Sequence, residues 1–162
     1  MQTVPERTID QVVEALEAET LSIETLVSDL SEQQPALTAY LFSDTFQILT
    51  EPERELLLYL ALIVWRSIEE VAPNRPLVEP EDIEEFEENN WTVMGESQAK
   101  RFRERLDPFF ADTKQEDLLA FVEDALTVDE QEELDTTEIS LTKEGREPLF
   151  IGLKTLIDCL TA

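Results

Sequence analysis

Histidine is absent from this chain of 162 residues. With it go the usual general base near neutral pH, the commonest zinc ligand and the His-ligated haem. Cysteine occurs once, at Cys159, which excludes an intrachain disulfide and a Cys-rich metal site. Glycine occurs three times (Gly95, Gly145, Gly152), never in a cluster. A loop that cradles phosphate needs neighbouring glycines so that backbone N–H groups can approach the anion, so neither a P-loop nor a dinucleotide fingerprint is present. Long apolar runs are missing too. The longest, Leu56 to Trp65, has ten residues, short of the 18 or so that span a bilayer. Residues Met1 to Asp10 lack the basic-then-apolar pattern of a signal peptide. The expectation is a cytoplasmic chain with no membrane contact, no cofactor and no metal.

Acid dominates what is present. Asp and Glu number 38 against 12 Lys and Arg, giving a net charge of −26. Such a body repels phosphate at long range, so direct nucleic-acid binding is not expected. Eight of the cations are Arg and only four are Lys (Lys100, Lys114, Lys143, Lys154). Excess carboxylate with little Lys suits a salt-rich medium, where screening makes self-repulsion tolerable. The plainer alternative is an ordinary acidic protein. The charge pulls toward disorder, but 42% hydrophobic residues in clustered runs are enough to build a core.

Those runs carry a helical period throughout. Thr8 with Gln11 reads as a capping box, and Ile9, Val12, Val13 and Leu16 fall on one helical face. The phase continues through Ile23, Leu26, Val27 and Leu30, so this helix runs to about residue 31 or breaks near Ser22. Pro35 opens a second helix with Leu37, Tyr40, Leu41 and Ile48 on one side and Phe42, Phe46 and Leu49 toward another. Thr50, Pro52 and Glu53 form a helix start, and the run from Leu56 to Trp65 follows it. A helix apolar all the way round is buried all the way round. The reading is therefore all-α: one domain, 1–162, of about six or seven helices around a central helix at 53–71, with a Pro-rich connection at 73–80. After Pro80, Ile83, Phe86, Trp91 and Met94 fall near one face and Gly95 is the expected stop; further helices are expected at 98–106, after Thr113, and around Leu149 to Leu160. The core set is Leu57, Leu60, Ile63, Val64, Phe86, Phe102, Phe121, Leu153 and Leu156.

Candidate sites are few. Six Glu-x-x-Glu pairs look like Mg²⁺ ligand spacings, but with 27 Glu in the chain such pairs arise by chance, and a solvated acidic face explains them. The acidic stretch Asp129 to Ser140 fails as an EF-hand, because Leu134 stands where glycine is needed and Ser140 where Glu is needed. Polar residues at apolar phases are more specific: Asp44, Arg66, Glu87 and Asn90, beside Trp91. A buried charge must be paired, so Arg66 is expected to meet Asp44 or Glu87. That cluster is either an anion-binding pocket walled by Trp91 or an ion pair fixing helix register. A basic patch, Lys100, Arg101, Arg103 and Arg105, either docks an acidic partner or meets the chain's own acidic segments at 79–88 or 129–138. Leu149, Leu153, Leu156 and Leu160 form a stripe that serves as a contact surface or as ordinary core.

One short segment, Leu141-Thr142-Lys143-Glu144-Gly145-Arg146-Glu147, resembles the wing-to-helix segment of multiple-antibiotic-resistance-type winged-helix repressors. The resemblance implies a strand ending at Leu-Thr and a helix after Gly-Arg, in a lobe that no longer binds DNA. A helix capped by Thr142 is the simpler reading. With no nucleophile–base set in sight, the functional expectation is a non-enzymatic protein-interaction module, with a protein partner or a second copy. The alternatives are a Mg²⁺-dependent enzyme or ligand-binding protein using Arg66 and inward carboxylates, and an acidic mimic of nucleic acid.

Overall fold

The computed structural model describes residues 1–127 and 141–162. Among these every regular element is helical, with no strand. The stretch at 129–138 and the rejected calcium loop at 129–140 lie outside the described residues.

The first helical phase is split. α1 (Glu6–Glu17) starts two residues before Thr8, so the expected Thr8–Gln11 box does not form; Pro5 occupies the N-cap position. Glu19, at φ 59°, turns the chain in the left-handed conformation that commonly closes a helix. Ser22 then caps α2 (Ile23–Gln33) by accepting from the Thr25 N–H. α3 (Pro35–Leu41) opens on its proline as expected but ends at Leu41, and a 3₁₀ turn follows at Asp44–Phe46. That early end changes which side chains face inward: Phe46 and Leu49 are buried, whereas Phe42 is 64% exposed and Ile48 61% exposed.

α4 (Glu51–Val71) begins with the expected capping box: Thr50 Oγ1 accepts from the Glu53 N–H, and Glu53 accepts from the Thr50 N–H. It stops before Pro73. Residues 60–65 are buried without interruption, while Leu56, Leu58 and Tyr59 are half-buried. α1, α2 and the final helix, α9 (Lys143–Thr161), pack directly on it. α5 (Pro80–Glu96) follows the Pro-rich connection and runs through Gly95. The helix expected at 98–106 shrinks to two single turns, α6 (Phe102–Arg105) and α7 (Asp107–Ala111). α8 (Glu116–Leu126) has Gln115 rather than Thr113 at its cap position; the Thr113 hydroxyl instead accepts from the Gln115 N–H.

α9 is enclosed on more than its stripe. Leu149, Leu153, Leu156 and Leu160 are all buried, and so are Phe150, Ile151 and Ile157 from other sides. The stripe is therefore core, not an exposed contact surface. Phe150 sits edge-on to both Phe102 and Phe109, which ties α6 and α7 to α9. Of the expected core, Leu57, Leu60, Ile63, Val64, Phe102, Leu153 and Leu156 are buried, whereas Phe86 and Phe121 are half-buried. Leu141 and Thr142 are not strand, and the helix starts before Gly145-Arg146, so this segment lacks what the winged-helix resemblance implies.

Candidate functional site

The polar residues expected to form one buried cluster lie in three places. Arg66 pairs with neither Asp44 nor Glu87. Its Nε lies 2.8 Å from Glu70 Oε1, one helical turn along α4, in a shallow cleft of about 270 Å³ with Thr8, Gln11 and Thr20. Asp44 is exposed on the turn after α3. Trp91 is 39% exposed and walls no pocket around Arg66.

Glu87 and Asn90 do enter a polar network, with partners the sequence did not indicate. The Tyr40 hydroxyl donates to Glu87 Oε2. Burial, reinforced by Glu87, raises the Tyr40 pKa and keeps the phenol protonated. Asn90 Nδ2 donates to Thr155 Oγ1 at 3.2 Å and to Asp158 Oδ2 at 3.0 Å, and Lys154 pairs with Asp158. This network joins α3, α5 and α9. Cys159 lies beside it, its thiol pushed up to about 12 by burial and the nearby Asp158 and Asp82 carboxylates. A thiol protonated at neutral pH is a poor nucleophile. No group of three or more acidic or thiol side chains is gathered as a metal ion would need among the described residues.

The basic patch has a second wall. Lys100, Arg101, Arg103 and Arg105 come from the loop before α6 and from α6 itself; Lys143 and Arg146 come from the first turns of α9. Together they line an open cleft of about 880 Å³, floored by Phe102 and Leu141 and bearing the carboxylates Glu104 and Glu147. Six of the chain's 12 cations thus line one cleft of a molecule with net charge −26.

The six are not equivalent. Arg105 holds the frame: Nη2 donates to Met94 O and Nη1 to Ala99 O, each at 3.0 Å, satisfying carbonyls at and beyond the end of α5. Its Nη2 also lies 3.4 Å from Glu147 Oε1. Arg103 reaches α8, with Nη1 at 2.5 Å from Glu123 Oε1 and Nη2 at 2.6 Å from Thr127 Oγ1. Burial raises the Glu123 pKa even though Arg103 opposes the shift. Among the described residues the ion-pair partners of the patch are on α8 and α9 and not at 79–88; the other expected segment, 129–138, lies outside them. Lys100, Arg101 and Lys143 are exposed, and their side chains make no hydrogen bond or ion pair among the described residues. Arg103 and Arg105 keep the cleft in shape, Arg146 is half-buried, and Lys100, Arg101 and Lys143 face solvent.

Sequence reasoning found the 100–105 wall by charge density but missed Lys143 and Arg146, which are some forty residues away in sequence. Two cations in an acidic stretch gave no signal until the fold put α9 against α6. Compared with protein-family models, with curated proteins and with solved structures, the chain matches none.

Proposed function

We propose that this chain is a non-enzymatic helical interaction module that receives an acidic segment of another protein in the cleft between α6 and α9. The observation that carries this reading is the concentration of cations: Lys100, Arg101 and Lys143 line one cleft with no side-chain hydrogen bond or ion pair among the described residues, in a chain otherwise rich in carboxylate. Charge complementarity of this kind fixes register and selects partners more than it adds raw affinity. A second copy fits less well, because two bodies of −26 repel each other unless salt is high. The wider acidity is consistent with adaptation to a salt-rich medium, in which that repulsion is screened. The enzyme reading has less support, since Arg66 is paired with Glu70 and the described carboxylates do not gather.

The test is fluorescence anisotropy with a labelled oligo-glutamate peptide as probe. At an ionic strength of about 0.1 M the wild type should bind saturably; near 1 M, where the Debye length falls to about 3 Å, binding should weaken. The combined substitution Lys100→Glu, Arg101→Glu, Lys143→Glu should abolish it. Equal affinity in wild type and variant, or no binding by the folded wild type, overturns the proposal and leaves the nucleic-acid-mimic reading to be tested against a basic partner.

A further inference from the structure

Glu53 is the one ionised side chain drawn fully inside the described structure, with no exposed surface. Its carboxylate serves two helices. Oε1 accepts from the Thr50 N–H at 2.8 Å, closing the capping box of α4. Oε2 accepts from the Thr142 N–H at 2.8 Å and from the Thr142 hydroxyl at 2.9 Å, at the start of α9. That hydroxyl accepts in turn from the Gly145 N–H at 3.0 Å. The fit leaves no room: a Cβ on Gly145 would stand 2.3 Å from Glu53 Oε2. Two helix N-terminal partial positive charges thus converge on one buried anion, across 89 residues of sequence.

The cleft wall hangs from this point. Lys143 directly follows Thr142, and Arg146 and Glu147 lie in the next turn, all lining the cleft. Glu53 does not line it. Resting on the reading of the cleft as an acidic-segment site, we infer that Glu53 is its positioning residue: by holding Thr142 it sets where α9 begins, and so where Lys143 and Arg146 stand opposite Lys100 and Arg101. Interactions that hold a binding constellation in place act through such supporting contacts, and their loss loosens the site without touching the ligand. The Gly145 position follows from the same geometry, since only glycine lets the helix start close on a carboxylate.

The experiment compares wild type, Glu53→Gln, Thr142→Ser, Thr142→Val and a core truncation remote from the cleft, Leu26→Ala. Each is read by oligo-glutamate affinity and by hydrogen exchange of the Thr142 and Gly145 amides. Glu53→Gln should lower affinity at least about tenfold, equivalent to about 1.4 kcal/mol, and should strip protection from both amides. Thr142→Val should do the same in part, Thr142→Ser should restore both, and Leu26→Ala should leave both near wild type. Unchanged affinity and protection in Glu53→Gln overturn the inference. So does an equal loss of affinity in Leu26→Ala, which would mark general loosening. If the folded wild type binds no probe, the cleft reading fails on its own, and amide protection alone then decides: kept in Glu53→Gln, the positioning role is wrong; lost there and kept in Thr142→Ser, it stands. Should Glu53→Gln not fold, the Thr142 pair carries the same comparison.

Discussion

At the scale of single residues, Glu53 is a carboxylate with no exposed surface, held by two threonines. Burial by itself would raise the Glu53 pKa, but hydrogen bonds from Thr50 and Thr142 outweigh it and hold the carboxyl below its ordinary value of 4.5. A depressed carboxyl stabilises the fold above the unfolded-state pKa and loses that contribution as pH falls through the folded value. Glu53→Gln removes the charge and turns an amide N–H toward other donors. Leaving buried donors unsatisfied costs about 1–3 kcal/mol. Urea unfolding of both proteins should show a stability gap that is full above about pH 4.5 and narrows below it. A gap independent of pH would mean that Glu53 is not ionised in the fold. The pairing of Thr50 with Glu53 was legible in the sequence because a capping box is local. The Thr142 contact was not, because nothing local marks a partner 89 positions away. Arg66 misled for a related reason: helical phase gives a direction but not the depth of the neighbour, and α1 leaves a shallow cleft where a pocket was expected.

At the scale of elements, α4 was readable from end to end, since its cap, its apolar run and Pro73 all act within a few residues. α9 was readable as a helix but not as an enclosed one: the 4-3-4 leucine spacing marks a single stripe, and only packing shows Phe150, Ile151 and Ile157 covered as well. The helix expected at 98–106 failed because Arg105 reaches back to the carbonyls of Met94, Ser97 and Ala99, which holds 97–101 as a loop. Helix–helix closeness yields a further expectation. Gly152 of α9 faces Phe46, and a Cβ there would lie 2.8 Å from the ring. Alanine gains about 1 kcal/mol of helix propensity, but overpacking a buried contact costs about 1–3 kcal/mol. Because Phe46 is buried and its ring also stacks edge-on with Tyr40, it has little room to retreat. Gly152→Ala should therefore lower the unfolding midpoint; a rise would show that the 3₁₀ turn at 44–46 yields easily.

At the scale of the whole molecule, charge and core oppose each other. A net charge of −26 stores self-repulsion that an apolar core must outweigh, and added salt relieves it. Thermal melts in increasing NaCl should show a midpoint that climbs steeply at low ionic strength and then levels. A flat response would mean that the carboxylates are spread too thinly to strain the fold. Composition made this legible at once. The exception to the acidic surface was legible only by half, because its two walls are separated in sequence and are brought together by the fold, through the contact of Phe102 with Phe150 and the pairing of Arg105 with Glu147.

The most direct test of the account is an NMR titration of the folded protein with the oligo-glutamate peptide at an ionic strength of about 0.1 M, where screening acts beyond about 10 Å. Amide shifts confined to 100–105 and 141–147, saturating together, are the predicted result. Shifts scattered over the acidic faces of α1 and α5, or none at all, would contradict it.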